Sequence, residues 1–322
     1  MGLKETVALV KDSGKDFVDH DCPTQAAALS YYTIFSLPPL LVLILLILGA
    51  LVDPQDIRGQ LQTQIGSLMG PSAAEQIRTI LQHAHPPGAK GLLATVLSVG
   101  VLVLGAAGAF GQLQAALNRV WGVAPDPQQG GLRAVLLKRI FSFGIILSVA
   151  FLLLVSLLLS AALSAFGGAL ARMLPEALSV TLLQVINQVV SLGVIAALFA
   201  GLFKVLPDAA VKWRDVWVGA VATALLFVIG KFLIGFYLGS SNPGEAFGAA
   251  GSLALMLAWI YYSSMIVLYG AEFTRTWAER RGGGIVPERG AVRVVKERQV
   301  VRDVQLSAGD AKTLEITAFP AE

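Results

Sequence analysis

ALSVTLLQVINQVVSLGVIAALFAGLF, which occupies residues 177–203, runs for 27 residues without a charged side chain. A helix needs about 20 consecutive apolar residues to cross the hydrocarbon core of a bilayer. Other uncharged stretches of sufficient length are 22–52, 91–118, 140–171 and 246–271. A further apolar stretch, 216–238, is interrupted only by Lys231.

These stretches predict an all-α protein, a six-helix transmembrane bundle whose main partner is the lipid bilayer. The spans are predicted near 30–52, 90–110, 141–166, 180–203, 216–238 and 249–272. The chain then divides into an N-terminal segment, 1–29, a six-span membrane domain, 30–272, and a C-terminal tail, 273–322.

The composition agrees with a membrane protein. Of 322 residues, 55% are hydrophobic and 14% are charged, whereas soluble domains carry about 25% charged residues. The formal net charge of +3 is too small to indicate a nucleic-acid partner. Cys22 is the single cysteine, which excludes a disulfide within the chain and a zinc site built from cysteines.

The basic residues predict the orientation of the bundle. Nineteen of the 24 Lys and Arg residues fall in the N-terminal segment, the loops 119–139 and 204–215, and the tail. Four fall in the alternate loops, and Lys231 lies within a span. Cytoplasmic loops carry the excess of Lys and Arg, so we predict that both termini are cytoplasmic.

The segments outside the spans are predicted to contain some regular structure. Residues 4–20 mix valines with charges, which is typical either of an amphipathic helix at the membrane surface or of a solvated lead-in. The external loop 53–89 has helical spacing of its apolar residues and predicts one or two short helices. Alternating valines at 292–301 favour a strand pair within the tail.

Lys231 is the strongest candidate for a binding residue. A charged group at the bilayer centre costs about 2.5–3.5 kcal/mol on insertion scales and marks a functional site by default. Its helical neighbours Ala220, Ala224 and Gly235 form a small-residue face, which favours packing inside the bundle. The alternative is that the lysine extends to the outer interface, about 8 Å away by helical rise, and has no binding role.

The fourth predicted span carries a polar stripe. Gln184, Asn187, Gln188 and Ser191 recur at helical spacing and fall at about the depth of Lys231. One interpretation is a polar cavity between spans four and five that binds an anionic substrate at Lys231, Gln184, Asn187 and Gln188. The other is ordinary hydrogen bonding between helices, worth about 0.6 kcal/mol for each contact.

Signatures of enzymes are nearly absent. The histidines are His20, His83 and His85; the last two lie two residues apart in the external loop with no Asp cluster near them, whereas a catalytic metal needs three protein ligands. The sequence contains neither a Walker-type phosphate loop nor a Gly-x-Ser-x-Gly motif. We therefore expect no enzymatic activity, no cofactor and no metal site.

Several segments together resemble the YihY/BrkB family of bacterial inner-membrane proteins. They are AAALSYY at 26–32, SLPPL at 36–40, ALNRVWG at 116–122, LPD at 206–208, GKF at 230–232, WIYY at 259–262 and GAE at 270–272. The resemblance covers roughly residues 15–280, and the tail after 282 lies outside it. The resemblance implies that the following matching residues are candidates for a shared function: Tyr31, Pro38, Asn118, Arg119, Trp121, Lys231 and Glu272.

The alternatives for these candidates are structural. Trp121 is also typical of an interfacial anchor, and Arg119 of an ordinary cytoplasmic charge. Pro38 and Pro39 remove two backbone donors, which predicts a kink in the first span.

The resemblance implies six spans with cytoplasmic termini in the bacterial inner membrane. Some members of the family are labelled ribonuclease BN, but this chain lacks the His/Asp ligand set that a metal-dependent ribonuclease needs. Others resemble envelope factors for which lipid or ion transport is proposed. The leading hypothesis is a transporter or flippase-like carrier of an anionic amphiphile, lipid or ion. The alternative is a membrane scaffold in envelope assembly that transports nothing.

Overall fold

The computed structural model describes residues 2–48, 59, 78, 108–126, 176–241, 251–281, 284–288 and 290–294. In this part of the chain the long helices are α1 (Leu3–Asp19), α2 (Cys22–Leu48), α3 (108–120), α4 (Glu176–Val205), α5 (Trp213–Ser241) and α6 (Gly251–Arg280). The short strands are β1 (Val123–Pro125), β2 (Ala209–Ala210), β3 (Val286–Pro287) and β4 (Ala291–Arg293). The prediction of a mainly helical protein is confirmed.

Three helices in the described residues are long and apolar enough to cross a membrane. Their apolar segments are Gln188–Val205 in α4, Trp213–Ile234 in α5 and Leu253–Arg280 in α6, which correspond to the predicted spans four, five and six. Helix α6 continues to Arg280, eight residues past the predicted end of the sixth span at 272. The predicted span 141–166 and most of 90–110 lie outside the described residues, and the membrane face of each terminus stays a prediction.

The segments around the first predicted span are helical as well. Helix α1 covers the predicted amphipathic segment and packs along α6. Helix α2 continues without interruption through Pro38 and Pro39. Gly59 and Arg78, the described residues of the external loop 53–89, are both helical.

Helices α5 and α6 approach each other closely because glycine and threonine alternate across their interface. Thr223 of α5 lies against Gly270 of α6, and Thr274 of α6 lies against Gly219 of α5. Each threonine hydroxyl donates to the carbonyl four residues earlier on its own helix, at 2.7 Å. Small residues allow this close packing of membrane helices, which fixes the register of α6 against the bundle.

The four strands join the tail to the loops of the bundle. Strand β4 pairs antiparallel with β1, and β3 pairs antiparallel with β2. The sequence favoured a strand pair within the tail at 292–301; the described part of that segment, up to residue 294, belongs to β4 and pairs with a loop strand, and residues 295–301 lie outside the described residues.

We call this end of the molecule the strand end. It consists of the α1–α2 junction, the ends of α3, α4 and α6, the start of α5 and the four strands. A core of buried side chains fills it. The core includes Cys22, Leu117, Trp121, Phe203, Val216, Leu268 and Ile285. The strand end is therefore a part of the described bundle where segments distant in the sequence share one buried core.

Candidate functional site

Glu272 lies at the centre of the strand end, and its side chain is fully buried. Its Oε1 atom lies 2.6 Å from Nδ1 of His20 and accepts a hydrogen bond from the Cys22 thiol at 3.6 Å. Its Oε2 atom has no hydrogen-bond partner among the described residues. An unsatisfied buried carboxylate oxygen is costly, so this group is an unusual feature of an apolar helix.

The α1–α2 junction brings His20 and Cys22 to Glu272. Helix α1 ends at Asp19, and α2 begins at Cys22. Asp21 between them has a φ of 57°, the left-handed conformation in which a single residue can turn the chain sharply. The turn directs the side chains on either side of it, His20 and Cys22, toward the same carboxyl oxygen.

Cys22 acts here as a neutral donor. It precedes the predicted first span and is 1% exposed. Burial raises the pKa of the Cys22 thiol well above its usual range, and the negative charge of Glu272 adds to the shift. The thiol therefore keeps its proton and donates it in the hydrogen bond to Glu272.

Arg275 follows Glu272 by one helical turn and lies over His20. Its Nη1 atom is 3.0 Å from Nε2 and 3.4 Å from Nδ1 of the imidazole. Because the two distances are similar, Nη1 lies over the face of the ring rather than along the lone pair of either nitrogen. The guanidinium also donates to the Val120 carbonyl at 2.9 Å and to Glu279 at 3.0 Å. The result is a row of Glu272, His20 and Arg275 that leads from the buried core outward.

Asn118 of α3 joins the loop after α4 through two hydrogen bonds. Its amide nitrogen donates to Oδ2 of Asp208 at 2.8 Å, and its amide oxygen accepts from the Asp208 backbone N–H at 2.8 Å. Gln114 donates to the other carboxylate oxygen at 3.3 Å. The segments ALNRVWG and LPD, far apart in the sequence, are thus in direct contact.

Trp121 lies in the same region and is 3% exposed. Its indole N–H donates to the Ala271 carbonyl at 3.2 Å, and its ring meets Phe203 edge to face. The side chain is therefore packed among helices and helps to position the turn that carries Glu272.

A cavity of about 700 Å³ opens beside these residues at the strand end. Three arginines and a histidine contribute to its wall: Arg119, Arg275, Arg293 and His20. Its carboxylates, Asp208 and Glu279, are engaged with Asn118 and Arg275 respectively. Within the described ranges, neither Arg119 nor Arg293 forms a side-chain ion pair or hydrogen bond. The wall therefore has an excess of cationic groups, which suits an anionic ligand.

No cluster of three or more potential metal ligands occurs among the residues that the structure describes. The expectation that the protein has no metal site stays a prediction for the chain as a whole.

The candidates from the sequence fall into separate places. Asn118, Arg119, Trp121 and Glu272 come together at the strand end. Lys231 is half-buried on α5, twelve residues beyond Gly219 and so about 18 Å further along that helix.

The binding site predicted at Lys231 stays a prediction. Ala220 and Ala224 on its expected inner face are fully buried. Gln188 is exposed, and no hydrogen bond joins it to Lys231 among the described residues. The side chains of Gln184 and Asn187 lie outside the described set.

Tyr31 and Pro38 lie apart from the cavity. Both are exposed on α2, and Tyr31 packs against Phe35, with ring centroids 4.8 Å apart. In the described structure these two residues belong to an outer face of α2 rather than to the site.

Sequence reasoning missed several residues of the site. His20 attracted attention only as one of three histidines, and Arg275 and Arg293 only among the basic residues of the tail. Their partners are up to 255 residues away in the sequence, so local pattern carries no signal for them. Asp208 was visible within the LPD segment, but its partner was not.

Comparison with known proteins agrees with this architecture. The family model described as "Virulence factor BrkB" matches residues 14–293. The match reaches beyond 280 and includes β3 and β4, so the expectation that the tail after 282 lies outside the family was wrong for the residues up to 293. The strands explain the difference, because they pair with loops of the bundle.

Curated relatives carry the name UPF0761 membrane protein. One from Pseudomonas aeruginosa strain LESB58 is 31% identical over 292 residues, which cover 88% of this chain and 67% of the relative. One from Rhodospirillum centenum is 27% identical over 314 residues, 95% of this chain and 66% of the relative. The chain thus spans about two thirds of the length of these relatives. No solved structure shows significant similarity to it.

Proposed function

The chain belongs to the BrkB family of membrane proteins, and we propose that it is a carrier for an anionic ion or amphiphile, a lipid included. The observation that carries the proposal is the arginine-lined cavity at the strand end. We further propose that the protein resides in the bacterial inner membrane with both termini cytoplasmic, so that the cavity opens on the cytoplasmic side. The names of the relatives identify a membrane protein, and neither these names nor the family description names a substrate.

The charge on the cavity wall favours an oxyanion. Arg119, Arg275 and Arg293 supply three guanidinium groups, and guanidinium forms strong, directional pairs with phosphate, sulfate and carboxylate. Each pair of unit charges at 4 Å is worth about 4 kcal/mol at the effective dielectric constant typical of a protein surface. Since Asp208 and Glu279 are already engaged, an incoming anion gains contacts with the remaining donors.

Lys231 provides a second cationic point further along α5. A lysine half-buried within an apolar helix is compatible with a path that leads an anion from the cavity into the membrane region. The sequence contains no ATPase motif, so we propose that movement follows a gradient or is passive. We assign no catalytic role to any residue.

Anion movement can be measured in reconstituted vesicles. Purified protein in phosphatidylcholine vesicles should increase sulfate efflux, or the transbilayer movement of labelled phosphatidylglycerol, above that of empty vesicles. Arg119→Gln should reduce the rate of movement of whichever probe the wild type transports by about 10–100-fold, because a charge-assisted contact contributes about 1.5–3 kcal/mol. Arg214→Gln is the matched control, since Arg214 is exposed at the start of α5 and does not line the cavity.

The outcomes separate the carrier from the scaffold. If the folded wild-type protein moves neither probe and binds neither measurably, the result favours a scaffold in envelope assembly. Equal loss in the Arg119 and Arg214 variants would show that general surface charge, rather than the cavity, attracts the anion.

The role of Lys231 has its own test. Lys231→Met should abolish movement and leave anion binding at the strand end intact. A Lys231→Cys variant in a Cys22→Ser background should react with a membrane-impermeant thiol reagent added from outside. A methionine variant with wild-type flux would eliminate the requirement for the charge.

A further inference from the structure

The row of Glu272, His20 and Arg275 links a buried acid to the cavity. His20 lines the cavity, and its side chain is 20% exposed, while Glu272 behind it has no exposure. The two side chains are joined at 2.6 Å. A proton entering from the cavity therefore meets the imidazole first and can pass through the ring to the carboxyl group.

We infer that His20 and Glu272 form a proton-binding site that is loaded when an oxyanion occupies the cavity, so that the anion and one proton bind together. The inference rests on the carrier function proposed above and names its coupling ion. With one proton, the pair is a neutral imidazole and a carboxylate. With two protons, it is an imidazolium with a carboxylate, or a neutral imidazole with a carboxylic acid. The second proton comes from water, and no other bond forms or breaks.

The surrounding charges explain why the second proton depends on the anion. Arg275 lies over the imidazole, and Arg119 faces the same region from α3. Both cations oppose a further positive charge on the pair. An anion held by these arginines neutralises them and favours uptake of the proton.

Other titratable groups lie near the pair. Asp16 of α1 and Asp21 of the junction contribute negative charge, and neither touches Glu272 by a hydrogen bond. Cys22 of α2 stays a neutral thiol. On the cavity wall, the Glu279 carboxylate pairs with Arg275, and the Asp208 carboxylate accepts from Asn118 and Gln114. The pair of His20 and Glu272 differs from these groups because it joins the cavity to the buried interior, and we assign the proton to it.

Among the residues that the structure describes, the Oε2 atom of Glu272 has no hydrogen-bond partner, which is a second, independent observation. A purely structural carboxylate would be expected to have both oxygens satisfied, because an unmet buried acceptor is costly. A carboxyl group that alternates between charged and neutral forms cannot be satisfied fully in both. This arrangement favours a group that exchanges its proton over one that only holds helices together.

The inference predicts proton uptake on binding. Full-length protein in phosphatidylcholine nanodiscs is titrated with sulfate, or with a soluble short-chain phosphatidylglycerol, by calorimetry in buffers of different ionisation enthalpy. Neither probe titrates near neutral pH, so any proton taken up belongs to the protein. We expect about one proton for each anion bound, and affinity that falls about tenfold for each pH unit over the coupled range.

Variants test the assignment to the pair. Glu272→Gln should still bind the anion but take up no proton and lose the pH dependence, and His20→Gln should do the same. Asp19→Asn is the matched control, because Asp19 is exposed at the end of α1 and lies outside the cavity, and it should retain the uptake of one proton.

The two proposals fail in different ways. Binding of either probe by the wild type without proton uptake, or uptake that persists in both variants of the pair, overturns the proton site and leaves the carrier standing. Absence of binding of both probes at every pH overturns the carrier and the proton site together. The wild-type titration decides this without relying on the folding of any variant. Binding of sulfate alone would identify the ligand as a free oxyanion, and binding of phosphatidylglycerol alone would identify it as a lipid headgroup.

Discussion

Replacing Asn118 with alanine should lower the free energy of unfolding by about 2–4.5 kcal/mol. The substitution removes two hydrogen bonds, one to the Asp208 carboxylate and one from the Asp208 backbone N–H, each at 2.8 Å. A bond to a charged group contributes about 1.5–3 kcal/mol, and a neutral one about 0.5–1.5 kcal/mol. Asn118 is 6% exposed, so water cannot readily replace the lost partner.

A double-mutant cycle separates the two bonds. Asp208→Ala removes the carboxylate but keeps the backbone N–H, so Asn118→Ala in that background should cost only about 0.5–1.5 kcal/mol. The coupling energy should therefore be about 1.5–3 kcal/mol. Unfolding in detergent micelles, followed by tryptophan fluorescence, provides the measurement. Gln112→Ala on the same helix is the control, since Gln112 donates one bond to Gln25 at 3.4 Å and its loss should cost less than about 1 kcal/mol.

Two results would refute this reasoning. If Asn118→Ala changes stability by no more than the Gln112 control, the contact between α3 and the loop after α4 does not stabilise the fold. If Asn118→Ala costs the same in both backgrounds, the carboxylate is not the partner that matters.

Three further predictions concern the packing around the site. Gly270→Ala should destabilise the protein by about 1–3 kcal/mol, because the new Cβ would lie 2.8 Å from Cβ of Thr223. Thermal unfolding measures this loss of stability. The control Gly201→Ala should lose no stability, because its Cβ meets nothing within 4 Å. Cys22 should resist alkylation by iodoacetamide in the folded protein from pH 7 to 9 and should react once the protein is denatured. The reason is that its raised pKa keeps the thiol protonated as the pH rises. Rapid labelling of the folded protein would contradict the burial of Cys22. Trp121→Phe keeps the aromatic packing but loses the indole bond to the α6 backbone, which should cost about 1 kcal/mol in the same unfolding assay, and an unchanged midpoint would show that the bond contributes nothing.

The membrane helices were predictable because span length and hydropathy are local properties. Uncharged stretches marked the positions of α4, α5 and α6 to within a few residues at most ends. The sixth span was predicted to end at 272, where the uncharged stretch ends, and α6 continues as a helix to Arg280. Glu272 and Arg275 both contact His20, which belongs to a distant segment.

The site was predictable only in part. Glu272, Asn118 and Trp121 entered through a family resemblance, and the residues that complete their environment did not. His20 lies 252 residues from Glu272, and Asp208 lies 90 residues from Asn118. Because these pairs depend on the register of packed helices, no periodicity within either segment could have indicated them.

The role of the tail was also a matter of tertiary structure. Alternating valines indicated strand propensity near 292, but strand propensity does not specify a partner. The partners proved to be β1 and β2, which are three and two residues long and too short to be recognised alone.

By itself the sequence determined a helical membrane protein and the alternation of its basic loops, because the bilayer imposes length and charge rules on each segment separately. It also isolated Lys231 as the one charge in the interior of a predicted span. Only the tertiary structure decided that His20, Glu272 and Arg275 form a row beside a cationic cavity. The physical reason is that a charge within an apolar segment is visible from its neighbours in the chain, whereas a charge near the end of a helix acquires its meaning from the groups that packing brings against it.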